Sequence, residues 1–235
     1  MAVALRPDPS VLEAVPVFRG LDKAGLAAAL EVAAPRRVPK DEAVFEQGEA
    51  ADTFFVLLDG RLKVSQATPA GDHVVMRYIG PGEFFGCVAV AGQGEYPGTA
   101  TAVVDSLALA WDAAASKALM ERFPKFAMNA LGTMGTRVQE AHARLREMAT
   151  EQVEQRVARA ILRLAQQAGK RVDEGVRIEF PLSRQDIAEM TGTTLHTVSR
   201  ILSRWEQQGL IDSGRQRITI CQPHALVLLS EGAGK

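Results

Sequence analysis

Apolar and polar positions follow three rhythms along the chain. Leucine and alanine dominate residues 22–34, which predicts a first helix. Short β-type runs then follow at 43–46, 54–58, 61–66, 73–79, 99–104 and 107–111. Turn signals separate them at Gly48, Asp59-Gly60, Gly71-Asp72, Gly80-Pro81-Gly82 and across 92–98. Many short strands at this spacing predict a double-sheet jelly roll or small barrel.

The rhythm changes at Pro124, which suits a first helical position. Ala127, Leu131, Met134, Val138, Ala141, Leu145 and Met148 alternate spacings of four and three. That is an a/d heptad seam, and it predicts a long helix that pairs with a second copy of itself. Leu131, Met134, Val138, Ala141, Leu145 and Met148 are the expected dimer interface, flanked by charges such as Arg137, Glu140 and Arg144.

The third rhythm, over residues 182–220, predicts two short helices at a tight turn and then a hairpin. Ser183 followed by Asp186 is a capping-box-like start, with Asp in place of the usual Glu or Gln. Ile187, Ala188 and Met190 supply apolar contacts before Gly192 breaks the helix. From about Thr194 a second helix buries Val198, Ile201, Leu202 and Trp205, at i, i+3, i+4 and i+7. Its other face carries His196, Ser199, Arg200 and Ser203, the small, polar and basic chemistry that reads base edges in a major groove. Gly209 ends that helix, and Asp212-Ser213-Gly214 reads as the turn of a two-stranded wing carrying Arg215 and Arg217. His196, Ser199 and Arg200 are thus the candidate base readers. Ser183, Arg184, Gln185, Thr194, Arg204, Arg215 and Arg217 are the candidate backbone contacts.

Charge supports this reading weakly. The 235 residues carry a net charge of −1 with 47% hydrophobic residues, which argues against a protein that coats nucleic acid indiscriminately. Residues 151–235 hold 12 Lys and Arg against 10 Asp and Glu, which leaves 15 against 18 for residues 1–150. No apolar run is long enough to span a membrane, and the N-terminus has neither a basic flank nor a long apolar core. With only Cys87 and Cys221, one in each half, a disulfide framework is excluded and a cytoplasmic location is expected. Enzyme chemistry finds no footing. Residues 1–120 contain one histidine, His73, too few for a jelly-roll metal site, and no nucleophile elbow or phosphate loop occurs.

The chain resembles the cyclic-AMP receptor/fumarate–nitrate regulator (Crp/Fnr) family of bacterial transcription factors over roughly residues 15–228. The markers are Gln47-Gly48-Glu49, Phe55-Val56-Leu57, Gly60-Arg61-Leu62-Lys63-Val64, Gly82-Glu83-Phe84-Phe85-Gly86 and Thr197-Val198-Ser199-Arg200-Ile201-Leu202. The resemblance implies an α+β architecture: a sensory β-roll (1–123), a dimerisation helix (124–150) and a winged helix–turn–helix (151–235). It further implies a homodimer on palindromic promoter DNA, with RNA polymerase as a partner. By the same resemblance Arg200 would contact guanine and Ser199 a neighbouring base or phosphate, while His196 stands where the best-known members carry glutamate.

The resemblance also frames the input. Cyclic-nucleotide-binding members place a glutamate after the Gly of the aromatic-Gly pair and an Arg-Ser/Thr-Ala for the phosphate. This chain has Gly86-Cys87 and Pro97-Gly98-Thr99-Ala100, and Ala141 and His142 replace the hydroxyl pair that faces adenine. A buried phosphate without a cation is costly, so cyclic AMP is not expected to bind. A lone cysteine in the first half does not hold an iron–sulfur cluster. The segment 96–102 is similar to the nitric-oxide-responsive branch, so haem stays open as a cofactor, with His73, His142 or Cys87 as ligand candidates, in a nitric oxide or carbon monoxide sensor. A ligand-independent dimer stays open as well. The expected pocket comprises Phe84, Phe85, Cys87, Val88, Tyr96, Thr99 and His142, with Met134 and Val138 as further walls.

Overall fold

The computed structural model describes residues 8–91 and 94–232. Residues 1–7, residues 92–93, which begin the segment 92–98 expected to be a turn, and residues 233–235 lie outside the described residues. The fold is α+β. Asp22 caps α1 (Lys23–Glu31) by accepting from the Gly25 N–H, and the strands β1 (Ala34–Val38), β2 (Ala43–Phe45), β3 (Phe54–Ala67), β4 (His73–Ile79), β5 (Phe84–Phe85) and β6 (Thr99–Trp111) follow. They form one six-stranded sheet ordered β1-β6-β3-β4, with β2 paired to β6 and β5 to β3. After α2 (Ala113–Arg122) comes the long α3 (Pro124–Thr150).

One expected turn is absent, and two strand runs read separately are one strand. β3 runs unbroken through Asp59-Gly60, and β6 joins the runs read as 99–104 and 107–111. Gly60 adopts φ +94, and a Cβ there would sit 2.7 Å from the Cα of Ser106 on β6. The glycine therefore permits a close strand crossing rather than a reversal. The Ser106 hydroxyl seals it, accepting from Arg61 N at 3.1 Å and donating to the Val104 carbonyl at 2.7 Å.

By chain contacts the protein divides into two compact units. The first comprises the residues up to Leu62 together with Ile79–Glu140, and the second Lys63–Tyr78 with Ala141–Lys235. In the first unit Phe54 stacks on Trp111 at 4.9 Å and contacts Phe84 and Phe126, and the Trp111 indole donates to the Ala29 carbonyl at 2.7 Å. The second unit continues with α4 (Val153–Ala168), β7 (Gly169–Val172), β8 (Gly175–Ile178), α5 (Arg184–Thr191), α6 (Leu195–Gln207), β9 (Ile211–Gly214), β10 (Arg217–Ile220) and α7 (Pro223–Ser230). Its core joins Val157, Ile161 and Leu164 of α4 with Ile187 of α5 and Leu202 and Trp205 of α6, all buried. The wing belongs to a four-stranded sheet ordered β7-β8-β10-β9. Asp212-Ser213-Gly214 is strand, and the reversal falls at Arg215-Gln216, where Gln216 takes φ 57. Among the described residues no helix is long and apolar enough to cross a membrane.

Candidate nucleic-acid interface

Helix α5 starts on a reciprocal cap. The Ser183 hydroxyl accepts from Asp186 N at 3.0 Å, and the Asp186 carboxylate accepts from Ser183 N at 3.1 Å. Aspartate is shorter than the usual glutamate, yet it closes the box. Gly192 ends the helix in the left-handed region, φ 59 and ψ 46, with its N–H on the Ala188 carbonyl. Thr194 then caps α6 by accepting from Thr197 N at 3.2 Å. Val198, Ile201, Leu202 and Trp205 are buried, which turns His196 and Arg200 to solvent and leaves Ser199 and Ser203 half-buried. Leu195, absent from the residues read as base readers, is 47% exposed beside them. An apolar side chain in the first turn of a reading helix suits a thymine methyl group. The signal lay in its position, one residue inside the Thr194 cap.

The arginines divide by how their charge is used. Arg184 donates to the Ser213 hydroxyl at 3.1 Å and lies 3.7 Å from Glu206, whose carboxylate accepts from Ser213 N and Oγ. Arg204 is paired with Glu154, which also accepts from the Trp205 indole at 2.8 Å. Arg217 meets Asp212 at 3.3 Å on the wing surface, and Gln185 donates to Glu189 at 2.9 Å. Arg200 and Arg215 are exposed, and no described residue forms an ion pair or side-chain hydrogen bond with either. The uncompensated charge thus sits at the middle of the reading helix and at the wing tip.

Asp186 has a second role. Lys63 of β3 donates to its carboxylate at 2.7 Å, with both side chains mostly shielded. Burial pushes that carboxyl up, but the hydrogen bonds from Lys63 and Ser183 outweigh it and hold the group below the usual carboxylate range. The buried Tyr78 hydroxyl is pushed far above its ordinary range by desolvation, with the Asp186 charge adding to the effect, and the Tyr78 ring lies 4.7 Å from Phe180.

In the roll, the expected pocket residues make different contacts. Phe84 and Phe85 alternate on β5. Phe84 meets Phe54 edge-on at 5.2 Å, whereas Phe85 stacks on Phe55 at 5.1 Å. Tyr96 lies flat on Phe45 at 3.8 Å, and its hydroxyl donates to the Thr53 carbonyl. Thr99 is used structurally, accepting from Gln47 N at 3.0 Å. Cys87 and Val88 are half-buried in a short 3-10 turn, and His142 is exposed on α3. Along α3, Leu131, Val138, Leu145 and Met148 are 61%, 55%, 68% and 41% exposed, Ala141 is exposed and Met134 half-buried.

Residues 35–123 match the description cyclic nucleotide-binding domain, and residues 155–229 match the Crp-like helix-turn-helix domain. The chain is a member of the Crp/Fnr family of transcriptional regulators. The CRP-like cAMP-activated global transcriptional regulator of Mycobacterium tuberculosis is 24% identical, over 86% of this chain and 90% of that protein. The cyclic AMP receptor protein of Thermus thermophilus is 29% identical, over 85% and 89%. The structure of FixK2 from Bradyrhizobium japonicum superposes with a TM-score of 0.74, at 22% identity, over 84% and 97%, which shows the shared fold.

As a Crp/Fnr regulator the protein binds promoter DNA through its helix–turn–helix. In the single chain none of the three candidate haem ligands is fully buried. His73 and His142 are both exposed, so neither offers iron a nitrogen inside a closed pocket, and Cys87 is only half-buried. Among the described residues no group of three or more His, Cys, Asp or Glu is placed to hold a metal ion.

Proposed function

We propose that this Crp/Fnr regulator is a homodimer that reads a palindromic operator through α6 and does not take cyclic AMP as its signal. The observation that carries the reading is the exposed Arg200 on the open face of α6, a planar guanidinium with no internal counter-charge. Such a group donates bidentately to guanine O6 and N7, a contact worth about 1–3 kcal/mol of discrimination. Arg215, at the wing tip, supplies phosphate contact, and the capped N-termini of α5 and α6 add hydrogen-bond donors for the backbone. The exposed seam on α3 supports self-pairing, which places two reading helices about one turn of DNA apart. RNA polymerase is the partner that such a promoter-bound dimer would serve.

For the input, Cys87 stands in place of the carboxylate that would hold a ribose, and the 97–100 segment has no cation for a phosphate. The packing of Phe45, Phe55, Phe85 and Tyr96 on one another favours a second reading of the roll, a scaffold for a dimer that binds DNA without a small-molecule signal. Operator binding by the purified, ligand-free protein would support it.

The test of base reading compares Arg200→Ala with Arg215→Ala on an operator selected by the wild type and on random duplex. Arg200→Ala should cost about 1–3 kcal/mol on the operator and little on random duplex. Arg215→Ala should weaken both alike and lower the salt slope by about 0.9 for each phosphate it no longer neutralises. Equal weakening on both duplexes by Arg200→Ala would overturn the assignment.

A further inference from the structure

We propose that Arg156, near the start of α4, is a positioning residue for operator recognition that fixes the reading head to the end of the long helix. The inference rests on the homodimer reading above. Arg159 and Arg163, on the same helix, meet carboxylates: Arg159 reaches Glu151 at 3.0 Å and Arg163 reaches Glu147 at 2.8 Å. Arg156 behaves differently, because its hydrogen bonds end on main-chain carbonyls. Its Nη1 donates to Glu151 O at 2.7 Å and its Nε to Thr191 O at 3.0 Å.

Those two carbonyls belong to two helix ends. Thr191 is the last residue of α5, and Glu151 follows the last residue of α3, its N–H still bonded to the Glu147 carbonyl. Each helix C-terminus carries roughly half a negative charge, so the two together balance about one guanidinium. The planar fork spans both acceptors at once, which a single point charge does not do. A second contact closes the same junction. A Cβ on Gly192 would lie 3.0 Å from the Met148 Cε, so the last turn of α3 covers the turn of the motif.

The consequence is geometric. α6 begins a few residues beyond Thr191, and α3 carries the exposed seam that would face the partner copy. Fixing α5 to α3 therefore sets where each reading helix stands relative to the dimer axis, and so the half-site separation the dimer accepts. Arg156 touches no base in this scheme; it acts through the placement of α6.

The experiment uses the full chain, the operator selected by the wild type, variants of that operator with one base pair added or removed between half-sites, and a duplex with a single half-site. Wild type should prefer one separation. Arg156→Gln should lower affinity for the full operator about tenfold, as expected for the loss of a charged hydrogen bond. The same variant should accept the altered separations nearly as well as the original, with single-half-site affinity unchanged within about twofold. Arg156→Lys, which keeps the charge without the fork, should fall between the two.

An Arg156→Gln protein that keeps the wild-type penalty for altered separation would overturn the proposal. So would one that loses single-half-site binding in equal measure, since that loss marks a motif that no longer folds. If wild type itself showed no preferred separation, the dimer reading would fall first, and this inference with it.

Discussion

At the scale of single residues, Asp186 joins two jobs that the sequence displayed separately. The Ser183–Asp186 spacing announces a helix start, because capping is local chemistry. Nothing in the linear text pairs Asp186 with Lys63, more than a hundred positions away. The pair makes a testable demand on pH. Its folded-state carboxyl lies below the ordinary value, so the stability it confers is present above an unfolded pKa of about 3.9 and is lost as pH falls through the lower folded value. Lys63→Met should therefore destabilise the protein by about 1–3 kcal/mol at pH 7, as for a shielded carboxylate left without its charged donor. The gap from wild type should close on acidification below about pH 4. Urea midpoints at both pH values decide it; a gap of constant size would exclude the pair as its source.

Among the elements, legibility followed periodicity. The heptad seam and the apolar face of α6 both repeat at helical spacing, and both lie on continuous helices. β1 escaped notice because four of its five residues are exposed; its register comes from β6, with Ala34 opposite Ala110 and Val38 opposite Ser106. β7 was hidden likewise, a mostly exposed edge that exists by pairing with β8. Gly60 misled for another reason, since the positive φ that suits a turn also suits a tight strand crossing. The seam of α3 carries the element-scale prediction. In the proposed dimer Leu131, Val138 and Leu145 would each bury side-chain area worth roughly 1.5–3 kcal/mol against a symmetry mate. Val138→Asp would set two like charges in that interface, and monomers that no longer hold the operator are the expected result. Sedimentation at micromolar concentration checks it, and a variant still dimeric there would remove α3 as the interface.

For the molecule as a whole, the family and the fold were readable from glycine-spaced motifs, but the interior of the roll was not. Which of two adjacent phenylalanines faces which cluster depends on strand pairing, and only the structure separates Phe84 from Phe85. With Cys87 and the 97–100 segment lacking the two groups a cyclic nucleotide needs, titration calorimetry should detect no micromolar binding of cyclic AMP, and operator affinity should not respond to it. Micromolar binding with a matching rise in operator affinity would reverse this view of the sensor.

The pairing of Arg184, Arg204 and Arg217 with carboxylates would also bear on how such a protein finds its promoter. Affinity for arbitrary DNA comes almost entirely from cations that displace condensed counterions. Three of the arginines around the reading head already have acidic partners, so little positive charge is left over for sequence-blind attachment. Such a regulator would spend less time stalled on the roughly million or more competing sites of a genome. Its occupancy of the promoter would then depend on discrimination rather than on holding DNA in general.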